Sequence, residues 1–312
     1  MKAYESADAV QNGNLSLLAL PGPISVSFEF FPPRTAQMVG ILWECIRRLE
    51  PLAPRFVSVT YGASGSTRER THDTVVRIAR ETSLKPAAHL TCVGASRAEV
   101  DHIAHRYWEA GIRHIVALRG DPPERQNHYV PHADGYAYAV NLVRGLKTVA
   151  DFEITVAAYP EAHPEAPSAA FDLDNLKRKI DAGASRAITQ YFFDIDVYRR
   201  FMDKVRAAGI TVPVIPGILP VTNVATMLRF SQACGTAVPS WVHALFDGLD
   251  ADPDTRRLVA AVLAAEQCRA LVTDGVTDFH FYTLNRADLV FAICHILGVR
   301  QQWGSKVAAD RT

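Results

Sequence analysis

Three features are scarce or missing in this sequence of 312 residues: net charge, closely spaced cysteines and long apolar runs. The 33 Lys and Arg residues are balanced by 33 Asp and Glu residues, which argues against a protein that binds nucleic acid through a basic surface. The five cysteines are scattered, and no C-x-x-C motif occurs, which is typical of reduced thiols in a cytoplasmic protein. No apolar run reaches the ~20 residues that span a bilayer, so we expect neither a nucleic-acid partner nor a membrane partner.

Short runs rich in β-branched and aromatic residues alternate with longer amphipathic stretches. The first 22 residues have no periodicity, so we expect an N-terminal arm at 1–22 and a single domain over 23–312. Eight runs are predicted strands, at 24–30, 55–61, 87–92, 114–120, 153–159, 186–193, 212–218 and 278–284. Strands that alternate with helices predict the α/β class and a parallel sheet, and eight such units predict a (β/α)8 TIM barrel. The competing doubly wound sheet lacks its usual G-x-G-x-x-G motif after the first strand, and no P-loop motif occurs.

One predicted helix carries clear signals for both of its ends. In the stretch SRAEVDHIAHRYWEAG, Ser96 is a candidate N-cap and Glu99 stands three residues later, the spacing of a capping box. Gly111 is the expected stop.

Polar residues recur where the predicted strands end. The active sites of barrels are assembled at this C-terminal rim from several strands. Taken alone, His89 is more simply a hydrogen-bonded core histidine, but seven strand ends with polar groups predict a functional pocket. The residues concerned are Glu29, Thr60, His89, Arg119, Asp121, Tyr159, His163, Gln190 and Arg286.

Glu29 is the most informative of these residues. It alternates with Phe28 and Phe30, so it is expected to point into the barrel one residue before the first strand ends. Apolar surroundings favour the protonated carboxyl group, which is the form that a general acid needs near neutral pH. The alternative is a buried ion pair with an arginine such as Arg34, which would favour the carboxylate instead.

The stretch LDNLKRKIDAG predicts a helix that ends at Gly183. Together with Asp172, which directly precedes this stretch, its polar residues at three- and four-residue spacing share one face, and the set is Asp172, Asn175, Arg178 and Lys179. Two interpretations remain open at this point. The face is either a solvated stripe of ion pairs or a clamp for a ribose and a diphosphate.

The lysines and the candidate metal ligands limit the types of catalysis that the sequence allows. No lysine ends a predicted strand, which argues against Schiff-base catalysis. Glu29, His89, Asp121 and His163 could converge on a metal ion, so a metal-dependent barrel lyase or hydrolase is the alternative enzyme. A purely binding function is a third possibility, but it leaves the polar rim unexplained.

Several longer motifs resemble one enzyme family. SFEFFPPR, FVSVTYGASGSTRERT, GIRHIVALRGDPP, VAAYPEAHPEA, NLKRKIDAGASRAITQYFFD, PGILPVTN and DFHFYTLNRA are similar, in the same order, to the characteristic runs of bacterial-type methylenetetrahydrofolate reductases. The resemblance covers residues ~24 to ~300. It implies a barrel that binds FAD at its C-terminal rim. It also implies a ping-pong reaction in which NADH or NADPH reduces the flavin, and the flavin reduces 5,10-methylenetetrahydrofolate to 5-methyltetrahydrofolate.

The resemblance also implies roles for individual residues. Glu29 matches the family's catalytic acid, and Asp121 matches the aspartate that stabilises the cationic folate intermediate near the flavin. The implied FAD-binding residues are Thr60, Tyr61, Ala63, His89, Arg119, Gly120, Asp121, Tyr138, Ala139, Tyr159, His163, Asp172, Asn175, Arg178 and Lys179. The implied substrate-binding residues are Asp121, Gln190, Phe230 and Arg286. No metal site is implied, and a homo-oligomer in the cytoplasm is expected.

Two positions depart from the family pattern. Thr226 stands where bacterial relatives carry a glutamine implicated in folate binding. The segment after Asp121, PPERQNHYVPHADG, is longer than expected. The difference at Thr226 concerns the folate contact and not the reaction that the resemblance implies, and the choice between NADH and NADPH stays open.

Overall fold

The computed structural model describes residues 23–61, 68–122, 129–221 and 223–301. Within these ranges the chain forms nine strands and ten α-helices. The strands are β1 (Ser25–Phe30), β2 (Val57–Val59), β3 (Pro86–Thr91), β4 (His114–Leu118), β5 (Glu153–Ala158), β6 (Arg186–Thr189), β7 (Val214–Ile215), β8 (Gly217–Ile218) and β9 (Asp278–Tyr282). The helices are α1 (Ala36–Leu49), α2 (Arg68–Glu81), α3 (Arg97–Glu109), α4 (Ala139–Val149), α5 (Ala169–Asp181), α6 (Ile195–Ala207), α7 (Val224–Cys234), α8 (Ser240–Phe246), α9 (Pro253–Thr273) and α10 (Ala287–Ile296).

The strands form one parallel sheet with the order β7-β6-β5-β4-β3-β2-β1-β9-β8. Only Pro216 separates β7 from β8, so the two ends of the sheet meet within one stretch of chain and the barrel is nearly closed. The predicted α/β TIM barrel is therefore confirmed. The expected N-terminal arm at residues 1–22 lies outside the described residues.

The predicted seventh strand, 212–218, is interrupted at Pro216. Proline has no N–H group to donate to a ladder, so a continuous strand is disfavoured there. Its carbonyl still accepts a hydrogen bond from His280 N at 3.0 Å. As a result β7 pairs only with β6 and β8 only with β9. At this break Gly217 N donates to the Thr189 side-chain oxygen at 2.9 Å.

Alternation along the strands separates an outer core from an inner one. Phe28 and Phe30 are fully buried in the large cluster between the strands and the helices. A smaller cluster fills the lumen of the barrel and consists of Phe56, Ala87, Val116, Ile188 and Ile215. Burial of a Val, Ile or Phe side chain contributes roughly 1.5–3 kcal/mol. Because the lumen is packed at this level, it is a core and not a channel.

The end signals of α3 are confirmed. Ser96 Oγ accepts a hydrogen bond from Glu99 N, and Glu99 Oε2 accepts one from Ser96 N at 2.8 Å, which is a complete capping box. The helix ends at Glu109, and Gly111 follows with a φ of 85°, the left-handed conformation in which glycine is favoured. Among the described residues, no helix combines the length and the apolar character needed to cross a membrane.

Candidate active site

Glu29 lies near the C-terminal end of β1, with its side chain in the lumen and only 13% exposed. Its Oε2 atom is 3.4 Å from His89 Nε2 and 3.9 Å from His280 Nε2. Arg34, the alternative partner, is exposed, and the basic side chains within 4.0 Å of the Glu29 carboxyl group in the described chain are these two histidines. The carboxyl group is therefore surrounded by imidazole rings and aromatic side chains, with no arginine beside it among the described residues.

The backbone of Glu29 is fixed by the segment that follows β9. Thr283 Oγ1 donates to Glu29 O at 2.6 Å. The side-chain amide of Asn285 both accepts from Phe31 N and donates to Phe31 O, each at 2.9 Å. These contacts hold the end of β1 in register with β9, so the carboxyl group of Glu29 has a defined position below the rim.

His89 is expected to be neutral beside Glu29. Burial lowers the pKa of His89, the nearby Glu29 carboxylate opposes this shift, and His280 adds to it. A neutral imidazole exchanges hydrogen bonds with a carboxyl group without placing a full positive charge on it. The contact is thus compatible with either protonation state of Glu29.

Sequence reasoning missed two residues of β9 that line the same place. His280 and Tyr282 alternate with Phe279 and Phe281, so the alternation of the predicted strand already assigned them to the inner face. The Tyr282 hydroxyl donates to Thr189 O at 2.7 Å. Burial raises the pKa of this hydroxyl well above its usual range, and the charge of Glu29 acts in the same direction. Tyr282 therefore stays neutral next to Glu29.

Arg119 and Asp121 follow β4 at the rim. Arg119 Nε donates to Gly120 O at 3.0 Å, and its guanidinium group lies 4.5 Å from the Tyr129 ring centroid and pairs with Glu165. Asp121 is exposed. Burial raises the pKa of Tyr159, and Asp121 is the largest of the charges that add to this shift, so Asp121 lies beside the end of β5.

The end of β5 and the start of α5 form a second part of the site. The Tyr159 ring meets the His163 ring edge-on at 4.8 Å, and His163 N donates to Asp172 Oδ2 at 2.9 Å. Burial lowers the pKa of His163, and the charge of Arg119 adds to this shift while Asp172 opposes it. The residues that follow β4 and β5 are thus electrostatically coupled.

Lys179 is buried on α5, with only 5% of its surface exposed. Its Nζ donates to Ala157 O at 2.6 Å. Lys179, Asp172 and Tyr159 line one cavity between β5 and α5. Burial lowers the pKa of Lys179 to about 8, with Asp172 opposing the shift. A lysine in such a place is ready to bind an anionic group that enters the cavity.

The other residues predicted on α5 behave differently. Arg178 Nε lies 2.9 Å from Asp174 Oδ2, and the guanidinium carbon lies 5.5 Å from the centroid of the Phe171 ring. Asn175 is half-buried. The expected common face is therefore divided between Asp172 and Lys179, which line the cavity, and Arg178, which forms a surface ion pair.

The remaining predicted residues are distributed around the rim. Gln190 follows β6, and its Oε1 atom accepts from Tyr191 N at 3.0 Å. Phe230 on α7 is 45% exposed, and Arg286 caps α10 from an exposed position. Thr226 N donates to Asn223 Oδ1 at 2.8 Å, and Thr226 Oγ1 accepts from Arg229.

The predicted site residues near β2 follow the end of that strand, and those near α4 lie at the start of that helix. Thr60 follows β2, and its N atom donates to Phe30 O at 2.9 Å. Burial raises the pKa of the neighbouring Tyr61 to about 12. Tyr138 caps α4 with 52% of its surface exposed, and Ala139 is the first residue of that helix. Ala63 and the first part of the long segment after Asp121, residues 123–128, lie outside the described residues.

The alternative metal enzyme needs a cluster of ligands. Among the described residues, no three His, Cys, Asp or Glu side chains lie close enough together to hold a metal ion. Glu29 and His89 are close together, and Asp121 and His163 lie near each other, but they do not form one cluster with metal-ligand geometry.

The family model and the relatives found by sequence agree on one family. The family model of methylenetetrahydrofolate reductase matches residues 16–298. A 5,10-methylenetetrahydrofolate reductase of Pectobacterium carotovorum is 55% identical over 287 residues, which cover 92% of this chain and 94% of the relative. The enzyme of that name from Escherichia coli is 54% identical over the same length and is 95% covered.

A more distant relative and a solved structure extend the comparison. A maize protein named methylenetetrahydrofolate reductase (NADH) 1 is 36% identical over 92% of this chain, which spans 50% of the maize protein. A Clostridium thermocellum protein that binds two copies of 5-methyl-5,6,7,8-tetrahydrofolic acid has a similar fold, with a TM-score of 0.59 at 12% identity, covering 91% of this chain and 97% of that protein. The family model spans most of the barrel, and the bacterial relatives are covered nearly end to end. The chain therefore belongs to the methylenetetrahydrofolate reductase family.

Proposed function

We propose that this protein reduces 5,10-methylenetetrahydrofolate to 5-methyltetrahydrofolate with NADH or NADPH as the reductant and FAD as the intermediate carrier. The observation that carries the proposal is the position of Glu29. Its carboxyl group lies in the lumen directly below the rim, between two histidines and with no arginine beside it among the described residues. A carboxyl group in this position can give a proton to a substrate that binds at the rim. The names of the bacterial relatives support the same reaction.

The donor groups at the ends of β4 and β5 fit FAD. Lys179 is a buried cation beside the cavity, and Arg119 is a second cation at the rim. Asp172 and His163 supply acceptors and donors of the kind that bind ribose and phosphate groups. Gly120, with a φ of 88°, keeps the backbone between Arg119 and Asp121 free of a side chain. When bound, FAD would accept a hydride from the nicotinamide and pass it to the folate.

The residues of this chain would act on the folate in two ways. Glu29 gives a proton to the bridging nitrogen of the substrate, so that the five-membered ring opens to the 5-iminium cation. Asp121 stabilises that cation by its negative charge in a site from which bound ligands exclude water. Gln190, Phe230 and Arg286 would bind the pterin and the remainder of the folate at the rim. Because one rim serves the nicotinamide and the folate in turn, ping-pong kinetics are expected.

The first experiment tests the cofactor and both substrates. We expect the purified protein to be yellow and to release FAD on denaturation. Under anaerobic conditions NADH or NADPH should bleach the flavin absorbance, and 5,10-methylenetetrahydrofolate should restore it. Comparing the two nicotinamides also decides which one is used. A colourless protein that takes up no FAD on reconstitution would refute the proposal.

The second experiment tests the acid. We expect Glu29→Gln to leave flavin reduction by the nicotinamide intact and to slow folate reduction by about 10²-fold or more, because a positioned general acid contributes 10²–10⁴-fold. Glu44→Gln, an exposed residue of α1, is the control and should change neither half-reaction. The two half-reactions are measured separately by stopped-flow absorbance. Folate reduction at the wild-type rate in Glu29→Gln would show that Glu29 is not the acid.

A further inference from the structure

One aromatic side chain of the long segment after Asp121 lies against the rim. Tyr129 is half-buried, and the centroid of its ring is 4.5 Å from the guanidinium carbon of Arg119. The same ring meets the ring of Tyr138, with 5.7 Å between the two centroids. Arg119 and Tyr138 are both predicted to bind FAD. Tyr129 therefore contacts two predicted cofactor residues, although neither the motifs nor the resemblance assigns it a role.

The hydroxyl group of Tyr129 fixes the position of the ring. It donates to Ala137 O at 2.8 Å and lies 3.9 Å from Cys92 Sγ. Burial raises the pKa of this hydroxyl group, and the charge of Arg119 opposes the shift. The group therefore keeps its proton at neutral pH and remains a donor to Ala137 O. These contacts tie the ring to the chain just after β3 and just before α4.

The guanidinium group of Arg119 has partners of two kinds. Its Nε atom donates to Gly120 O at 3.0 Å, and its Nη1 atom pairs with Glu165, which is exposed. The pair with Glu165 must open before the same N–H group can donate to an anionic ligand. The contact with Tyr129 is different, because the attraction between a cation and the face of a ring uses no N–H donor. Tyr129 can therefore hold the guanidinium group while Glu165 is replaced.

We propose that Tyr129 is a positioning residue that holds the guanidinium group of Arg119 at the rim while this group exchanges Glu165 for the diphosphate of FAD. The proposal deepens the proposed function, because the anion that it assigns to Arg119 belongs to the cofactor. Without the ring, the released arginine side chain would regain rotational freedom, which it loses again when the ligand binds. The ring avoids this loss, so it should increase the affinity for FAD through Arg119.

Four substitutions separate the ring from its surroundings. Tyr129→Leu removes the aromatic face and keeps an apolar side chain, whereas Tyr129→Phe keeps the face and removes only the hydroxyl group. Arg119→Gln removes the cation. Phe291→Leu is the matched control, because it removes the ring from another pair of this kind, in which the guanidinium carbon of Arg48 lies 3.9 Å from the ring centroid. That pair joins α1 to α10 and includes no predicted site residue.

The first measurement is the affinity of the cofactor-free protein for FAD, from the quenching of flavin fluorescence. We expect Tyr129→Leu to weaken FAD binding by about 3- to 10-fold, as the loss of one cation–π contact predicts. Tyr129→Phe and Phe291→Leu should stay within about twofold of the wild type. In the Arg119→Gln background, Tyr129→Leu should weaken binding by less than about twofold, because the two residues act as one unit. The same loss in both backgrounds, or equal losses in Tyr129→Leu and Tyr129→Phe, would overturn the proposal.

A measurement without FAD keeps this proposal separate from the proposed function. In the NMR spectrum of the protein labelled with ¹⁵N-arginine, the Nε–H signal of Arg119 is assigned by its loss in Arg119→Gln. We expect this signal to be displaced by the ring current of Tyr129, the displacement to vanish in Tyr129→Leu, and Tyr129→Phe to keep it. An unchanged signal in Tyr129→Leu would overturn the proposal even if FAD binds. The expected spectra in a protein that binds no FAD would support the role of the ring in holding Arg119 and refute the proposed function.

Discussion

Replacing Lys179 with methionine should stabilise the protein in the absence of cofactor. The ammonium group is buried and bonded to one backbone oxygen, Ala157 O, at 2.6 Å. Its pKa falls from 10.5 to about 8 on folding, and each pH unit of this difference corresponds to about 1.4 kcal/mol, so burial of the charge costs about 3 kcal/mol. Lys179→Met removes that cost but leaves Ala157 O unpaired, which costs about 1–2 kcal/mol. We therefore expect a net gain of about 1–2 kcal/mol at pH 7.

The stability that Lys179→Met gains over the wild type should decrease as the pH rises. Between pH 8 and pH 10.5 the unfolded chain keeps a proton on Lys179 that the folded protein has lost. The free energy of unfolding of the wild type therefore rises with pH in this window. The advantage of Lys179→Met should be fully present below pH 8 and should shrink as the pH approaches 10.5.

Urea unfolding of the cofactor-free proteins at a series of pH values measures this difference. Lys177→Met is the matched control, because Lys177 lies on the same helix but is partly exposed and forms an i,i+4 pair with Asp181. We expect that control to change stability by less than about 0.5 kcal/mol, because surface pairs contribute little. The reasoning would be refuted if Lys179→Met were less stable than the wild type at pH 7. It would also be refuted if the difference in the free energy of unfolding were the same at every pH. Weaker FAD binding by Lys179→Met would show what the buried charge is retained for.

The other predictions concern the rim and the broken strand. Glu165→Gln should tighten FAD binding several-fold at low salt in an equilibrium titration, because it frees Arg119 from its ion pair, and unchanged affinity would exclude Arg119 from anion binding. Tyr282→Phe should lower the free energy of unfolding by about 1 kcal/mol through the lost bond to Thr189 O, which urea unfolding detects. Gly217→Ala should cost more than about 2 kcal/mol, because its Cβ would overlap Thr189 O and lie 2.6 Å from Tyr282 Cε2. Gly40→Ala in α1, where nothing lies within 4 Å, should instead stabilise by about 0.5–1 kcal/mol in the same assay.

Periodicity was sufficient to predict the barrel and the direction of Glu29. The two-residue alternation of β1 places Phe28 in the outer core and Glu29 in the lumen, and both follow from local sequence. The capping box of α3 is equally local. Such features depend on neighbours within four residues, which a single sequence displays directly.

Features that depend on distant residues could not be predicted in this way. The pairing of Arg119 with Glu165 is set by the conformation of two separate loops. Lys179 resembles a surface residue in sequence, and only the packing of α5 on β5 buries it. The inward direction of His280 could have been predicted from the alternation of its strand. Its proximity to Glu29 could not, because that depends on the register between β1 and β9. The interruption at Pro216 also had a local signal, the proline itself.

Because of the interruption at Pro216, the number of paired residues differs from one strand pair of the barrel to the next. Two residue pairs join β6 to β7 and two join β8 to β9, whereas five join β3 to β4 and five join β1 to β9. Amide hydrogens of β7 and β8 should therefore exchange with solvent sooner than those of β3 and β4. The chain continues from this joint into α7, which carries Phe230 at the rim. The strands with the fewest ladder pairs thus lead into the helix that carries Phe230, whereas Glu29 lies on a strand with five pairs to β9.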